Sequence, residues 1–238
     1  NSLDFENVIK LMPEAVFIYG LSSAISQTAQ RLIKMGIPVI FISEFNESHP
    51  LAKLDWIRFI GCFYDKLELA ESMYTKKSND YLKTKSFISD TASRPLILVG
   101  LPWKDIWNVP GANTTTAMFI NDAGGKYVFE SLTDKINYQL GIEEVFLAGA
   151  HADLWINIGF ANYLSDITAS DKRFANFKAY KNGAVFNNNN LQNRVGGNDY
   201  LESGIMNPDV ILADLISIFH PEIVQNHERV YYKKLSDK

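Results

Sequence analysis

Cysteine is almost absent. Cys62 is the only one in 238 residues, which excludes an internal disulfide and a multi-cysteine metal cluster. Its expected place is unremarkable, as a small apolar residue in a helix around Trp56, Ile57 and Ile60. Histidine is scarce too. His49, His151, His220 and His227 show no HExxH, HxH or other paired ligand spacing, and two of them precede proline at helix boundaries, so structural roles are expected. No apolar run approaches the ~20 residues that span a bilayer as a helix. The strongest, Pro95 to Trp103, reads as a buried strand. A charged start followed by an apolar segment is also missing, so this stretch carries no export signal of its own; it opens at Asn1, as a processed or trimmed product would. Lysine and arginine are scattered and the formal net charge is −4, which leaves no electrostatic footprint for a phosphate backbone and argues against nucleic-acid binding. There is no G-x-S-x-G elbow, P-loop or Cys/His pair, and Gly124-Gly125 and Gly196-Gly197 are turn doublets. Nothing selects a catalytic residue, a resident metal or a cofactor, and no enzyme is expected.

What is present is a repeated pattern. A short amphipathic helix with an acid in its first turn runs into an apolar strand, first over Phe5-Glu6-Asn7-Val8-Ile9 and Ala15 to Tyr19, and again over Ile142-Glu143-Glu144-Val145-Phe146 and Leu154 to Asn157. After the first copy, Ile25, Ala29, Leu32 and Ile33 mark a helix ended by Gly36, and Ile37 to Ile42 forms the next strand, which makes a parallel βαβ unit. Leu54, Ile57 and Ile60 begin one helical face. Leu67, Ala70, Tyr74 and Tyr81 continue a second, and the helix from Lys66 to Phe87 would be about 33 Å long. A break over Ser89 to Arg94 precedes a second α/β unit. It holds a strand from Pro95, a helix over Thr114 to Asn121, a short strand over Lys126 to Phe129, a helical stretch from Ala169 to Ala179, a strand near Ala184 to Asn187 and a loop rich in Asn and Gly to Gly197. A last helix starts with Asn207 as N-cap and Pro208 at its first position.

The fold class is therefore α/β, with two lobes built on parallel sheets and joined by one long backbone helix. The expected divisions are 1–65 for part of the first lobe, 66–88 for the connecting helix and 89–238 for the second lobe. A solvated helix packed on a single domain is the alternative. A first lobe of two strands would leave sheet edges uncovered, so the first lobe is expected to be incomplete in this chain.

In open α/β sheets the loops after the carboxyl ends of strands face the ligand crevice. Trp103 and Trp107 follow such an end, and flat rings there can stack on a large planar or lipophilic ligand; the competing reading makes them core plugs. Tyr19 and Asn157 hold equivalent strand-end places in the two copies, and Tyr200 lies in a glycine-rich loop with Asn198 and Asp199. Glu6, Glu143 and Glu144 gain ~0.3–1 kcal/mol from the helix dipole. As exposed acids at the same place in two copies, Glu6 and Glu143 could also meet two basic sites on a symmetric partner.

Phe5 to Glu14, His49-Pro50-Leu51 through Trp56-Ile57, Val109-Pro110-Gly111, Asp122 to Gly125, Gly197 to Tyr200 and Asn207 to Val210 together resemble the periplasmic solute-binding proteins of ABC importers for ferric siderophores, haem and cobalamin. The resemblance covers nearly the whole chain. It implies a substrate-binding component that captures an iron complex, a ferric siderophore or haem, between its lobes and delivers it to the membrane subunits of an ABC permease; a cobalamin-binding protein of the same class is the alternative. It implies permease docking through Glu6 on one lobe and Glu143 or Glu144 on the other, and a location in the periplasm or at the outer face of the cytoplasmic membrane, with lipid anchoring through a region upstream of Asn1. Haem would want an axial ligand, for which Tyr19, Tyr200 and His151 are candidates. A ferric siderophore would use Trp103, Trp107 and Arg94 or Arg194, and cobalamin the tryptophans and the Asn-rich loop. An α/β enzyme would need convergent acids or histidines at strand ends, which the chain does not offer. A pure interaction module would keep the docking acids alone.

Overall fold

A computed structural model describes residues 3–20, 23–88 and 93–237. It divides into two compact units, 1–47 and 48–238.

In the first unit, α1 (Phe5–Leu11) leads into β1 (Val16–Tyr19), and α2 (Ser23–Lys34) returns the chain to β2 (Val39–Ile42). Asp4 caps α1 by accepting the Asn7 amide at 3.1 Å, and the helix stops at Met12 in the left-handed region ahead of Pro13. The two strands pair in parallel, Val16 with Val39 and Tyr19 with Ile42. The βαβ unit is therefore present as the periodicity predicts. Arg31 of α2 lies 3.8 Å over the Phe5 ring, which ties the two helices together.

The second unit opens with α3 (Pro50–Phe63) and α4 (Leu67–Lys85), so these helices group with the later part of the chain. His49 caps α3 through Nδ1, which accepts the Leu51 amide at 3.1 Å. The two helices cross tightly at Gly61, where a Cβ would come within 2.8 Å of the Ala70 Cβ. Helix α4 is polar and buries only Ala70, Ser78 and Tyr81. It is fastened by Lys77 to Asp209 at 3.1 Å, by the Tyr81 hydroxyl donating to Asp122 at 2.7 Å, and by Lys85 to the same buried carboxylate at 2.8 Å. The break expected over Ser89 to Arg94 lies mostly outside the described residues.

The core is a five-stranded sheet in the order β5 (Lys126–Tyr127), β3 (Leu96–Val99), β7 (Leu154–Ile156), β8 (Val185–Asn187) and β9 (Lys233–Lys234). The first four strands are mutually parallel and β9 closes one edge antiparallel. Helix α5 (Thr115–Asp122) precedes β5, α6 (Ile142–Gly149) precedes β7, and α7 (Leu164–Ser170) and α8 (Lys178–Lys181) precede β8. The stretch expected to be helical from Ala169 to Ala179 is broken. Asp171 leaves the helical region and caps a 3-10 turn over Lys172–Asn176 by accepting the Arg173 amide. Helix α9 (Pro208–Phe219) packs its apolar stripe against the sheet system, with Asn207 before it and Pro208 at its first position.

A separate antiparallel pair, β4 (Ile106–Pro110) with β6 (Asn137–Gly141), is not marked by the periodicity of the sequence; it is in register from Ile106 with Gly141 to Pro110 with Asn137. Along β4, Trp107 and Val109 point inward while Ile106 and Asn108 point outward. Trp107 therefore stacks on Trp155 at 5.8 Å and 27°, with Phe174 edge-on to both rings at 5.5 and 5.7 Å. Gly111 follows β4 at a place where no side chain fits, because a Cβ would lie 1.9 Å from the Lys135 carbonyl oxygen. Cys62 lies in α3 as expected, on its exposed side, where its thiol donates to the Arg58 carbonyl at 3.3 Å.

The C-terminal segment is held by one buried carboxylate. Asp214 of α9 accepts the backbone amides of Val230, Tyr231 and Tyr232 at 3.1, 2.7 and 3.1 Å and His227 Nε2 at 2.6 Å. Asp214→Ala should cost at least about 3 kcal/mol, because several buried donors lose their acceptor at once. A urea midpoint within error of the parent would contradict this role. Trp107→Ala should cost about 3–5 kcal/mol through the cavity it leaves, measured the same way.

Candidate functional site: the strand-end edges

Because β5, β3, β7 and β8 run in one direction, their carboxyl ends share one edge of the sheet. Three following segments collect there: 100–105 after β3, 157–163 after β7 and 188–198 after β8. The edge is anchored from below by indole N–H groups. Trp107 Nε1 donates to the Val99 carbonyl at 3.0 Å and Trp155 Nε1 to the Gly100 carbonyl at 2.6 Å, while the Gly100 amide donates to Ile156 at 3.0 Å. Above these anchors the chain makes a tight turn closed by reciprocal bonds between Trp103 and Ile106, with Lys104 in the left-handed region at φ 56°.

That turn presents Trp103 outward, 71% exposed. Trp107, assigned above to a ligand together with Trp103, is instead fully buried among Trp155 and Phe174 and has no face left for one. The strand alternation of β4 separates the two rings. Two further apolar side chains that the sequence reading missed stand on the same edge: Phe160 at 93% and Val195 at 91% exposure. Phe160 follows β7 as Trp103 follows β3, so the strand-end rule that selected Trp103 applies to it equally.

Asn157 directly follows β7 in the left-handed region, φ 55°, which suits asparagine. Its amide oxygen accepts the Tyr232 hydroxyl at 2.8 Å. Tyr200 is half-buried, edge-on to Tyr231 and Tyr232 at 6.1 and 5.8 Å, and burial pushes its hydroxyl up to about 12. Both residues are thus built into the support of the edge. The Asn-rich run is a brace more than a loose loop. Asn187 Nδ2 donates to the Gly159 and Ala161 carbonyls at 3.0 and 2.8 Å, and Asn189 Nδ2 to Asn162 Oδ1 at 3.1 Å. Asn189 Oδ1 is buried without a hydrogen-bond partner among the described residues.

The first unit has its own strand-end edge. Tyr19 ends β1, 61% exposed and edge-on to Phe45 at 5.3 Å. Glu44 lies two residues past β2, in a 3-10 turn over Glu44–Asn46, and is 8% exposed. Partial burial, then the Glu44 charge and the hydrogen bond to it, raise the Tyr19 phenol above its ordinary range. The second carboxylate oxygen of Glu44 is buried with no hydrogen-bond partner among the described residues.

The acids of the repeat are on the surface. Glu6 is exposed in the first turn of α1, and Glu143 and Glu144 in the first turn of α6. Glu143 pairs with Arg173 Nη1 at 2.6 Å, and the same guanidinium grips Asp171 at 2.7 Å. Water screens a pair this exposed, so Arg173 holds Glu143 loosely. Glu144 has no ion-pair partner among the described residues.

The histidines take structural places. His49 caps α3, His220 is buried against the Gly124 carbonyl at 3.3 Å, His227 is bound to Asp214, and His151 is exposed in the turn after α6. Among the described residues no three His, Cys, Asp or Glu side chains converge as a metal site, and no helix is long and apolar enough to cross a membrane.

Comparison with known proteins agrees with this architecture. An uncharacterised lipoprotein of Methanocaldococcus jannaschii is 26% identical over 97% of this chain, which spans 54% of that protein's length. A possible iron-binding, periplasmic solute-binding protein of Staphylococcus epidermidis superposes with a TM-score of 0.70 at 15% identity, covering 92% of this chain and 81% of that one. A periplasmic haem-binding protein of a Roseiflexus species gives 0.69 at 18% identity, covering 94% and 81%. These likenesses establish a shared fold. A sequence profile of the periplasmic binding protein family matches residues 1–189, and the chain belongs to that family.

Proposed function

We propose that this chain is the substrate-binding component of an ABC importer and captures an iron complex, a ferric siderophore or haem, against the strand-end edges of its two α/β lobes. The observation that carries the reading is Trp103: a solvent-facing ring on a turn rooted in the sheet, in a member of a binding-protein family. The iron preference is supported by the solved relatives described as iron-binding and haem-binding. Cobalamin remains the alternative cargo, since Trp103 and Phe160 would serve a corrin as readily as a chelate. In this reading Trp103 and Phe160 touch the cargo from the second lobe and Tyr19 from the first, while Asn157 and Tyr200 stiffen the surface beneath. Helix α4, 19 residues and about 28 Å long, is the connector of this reading, and α3, which groups with the second unit, leads the chain into it. Glu6 and Glu143 or Glu144 dock on arginines of the permease, and Arg173 releases Glu143 as the contact forms. A lipid-anchored place at the outer face of the cytoplasmic membrane is supported by the lipoprotein relative.

Tryptophan fluorescence of the full-length protein, titrated with haem, a ferric hydroxamate, a ferric catecholate and cobalamin, tests the cargo class. Saturable quenching by haem or a ferric chelate supports the reading; quenching by cobalamin alone replaces its cargo, and silence toward all four overturns it. Trp103→Ala should lower affinity about fivefold, the equivalent of ~1 kcal/mol of stacking, while moving stability by no more than about 0.5 kcal/mol. Glu6→Ala, and Glu143→Ala combined with Glu144→Ala, should leave cargo affinity unchanged and lower stimulation of the cognate importer's ATPase. Loss of cargo affinity with normal stimulation would contradict the docking assignment.

A further inference from the structure

Among the described residues, the buried carboxylates are well supplied with donors, with Glu44 the exception. Asp214 takes three amides and a histidine, and Asp122 takes the Tyr81 hydroxyl and the Lys85 ammonium. Glu44 is as enclosed in kind, yet its described hydrogen bond is the one from the Tyr19 hydroxyl, and its Oε2 is both buried and without a partner among the described residues. A carboxylate oxygen withdrawn from water without a donor is costly to maintain. A buried oxygen left this way calls for an explanation, and a charge or donor supplied from outside the folded chain is one. Its position tells where that supply arrives: β1 and β2 are parallel, Tyr19 is the last residue of β1, and Glu44 stands just past the end of β2, so both groups lie at the carboxyl edge of this pair. The neighbouring surface is aromatic, with Tyr19 and Phe45 edge to face.

We propose that Glu44, held by Tyr19, is the point where the first lobe recognises a positively charged group on the cargo. This rests on the binding-protein reading above and narrows it. A carboxylate with an unmet oxygen favours a complex that carries an organic cation, such as a protonated amine on the periphery of a chelate, and disfavours an anionic complex such as a ferric tris-catecholate. The ammonium pairs with the Glu44 carboxylate at its small exposed face, and the adjoining aromatic edge accommodates the methylene arm that carries it.

The test compares two ferric trihydroxamates of identical core, one bearing a pendant primary ammonium and the other the same amine acetylated, titrated into the full-length protein. Acetylation should weaken binding about tenfold or more, as loss of a charge-assisted hydrogen bond does. In Glu44→Gln the two chelates should bind within about threefold of each other, since the neutral amide can accept an N–H but brings no negative charge to the cation. Equal affinity of the parent protein for both chelates overturns the proposal and leaves the binding-protein reading standing. So does a preference for the ammonium form that persists undiminished in Glu44→Gln, which would place the recognition elsewhere. Failure to bind either trihydroxamate, with saturable binding of haem or a tris-catecholate, likewise overturns this proposal alone. Silence toward every iron complex overturns both. The ligand-side comparison on the parent protein stands even if Glu44→Gln fails to fold.

Discussion

The stack of Trp107 on Trp155 is the contact on which the strand-end edge of the second unit depends. Each ring is wholly buried, and each spends its only polar atom on a backbone carbonyl at the end of β3, Val99 for one and Gly100 for the other. The pair thus ties together three pieces of structure: the central strand β3, its neighbour β7 and the separate β4–β6 pair. Phe174 and Phe177 complete the cluster from the segment before β8, with Phe177 5.2 Å from Trp155. Hydrophobic burial supplies the stability here, while the two indole N–H bonds fix where the strand must end and the turn begin.

Polar groups inside the molecule divide by what they are for. Asp122 and Asp214 act as clamps between elements distant in sequence, joining α4 to α5 and α9 to the C-terminal segment. Asn187 and Asn189 do the same between β8 and the segment after β7. Every one of these side chains reaches backbone or a side chain far along the chain, as buried polar groups must if they are not to destabilise the fold. Among the described residues, the buried side-chain oxygens without a hydrogen-bond partner, on Glu44 and Asn189, both follow strand ends.

Much of this was legible in sequence. The helix–strand repeat is present as α1–β1 and α6–β7, and the apolar runs at Leu96 and Val185 and the Asn-Pro start of α9 lie where periodicity puts them. What escaped was structure defined by partners remote in the chain. Ile106 to Pro110 alternates outward and inward, but it is short, follows a turn and pairs with Asn137 to Gly141, whose own pattern is largely polar. Reading it as loop left Trp103 and Trp107 looking equivalent, when one is a turn tip and the other a core ring. Phe160 was readable by the rule that found Trp103. Glu44 was not, because a lone glutamate after a strand carries no signal until its burial is known.

The roots of the 100–105 turn are spoken for. With the Val99 and Gly100 carbonyls each accepting an indole proton, the backbone at the root of the turn is fixed from inside the core. Trp103, Lys104 and Asp105 at its tip face solvent, so exchanging them costs the fold little. A lineage can therefore drift at the tip of this turn while the tryptophan pair preserves the frame beneath.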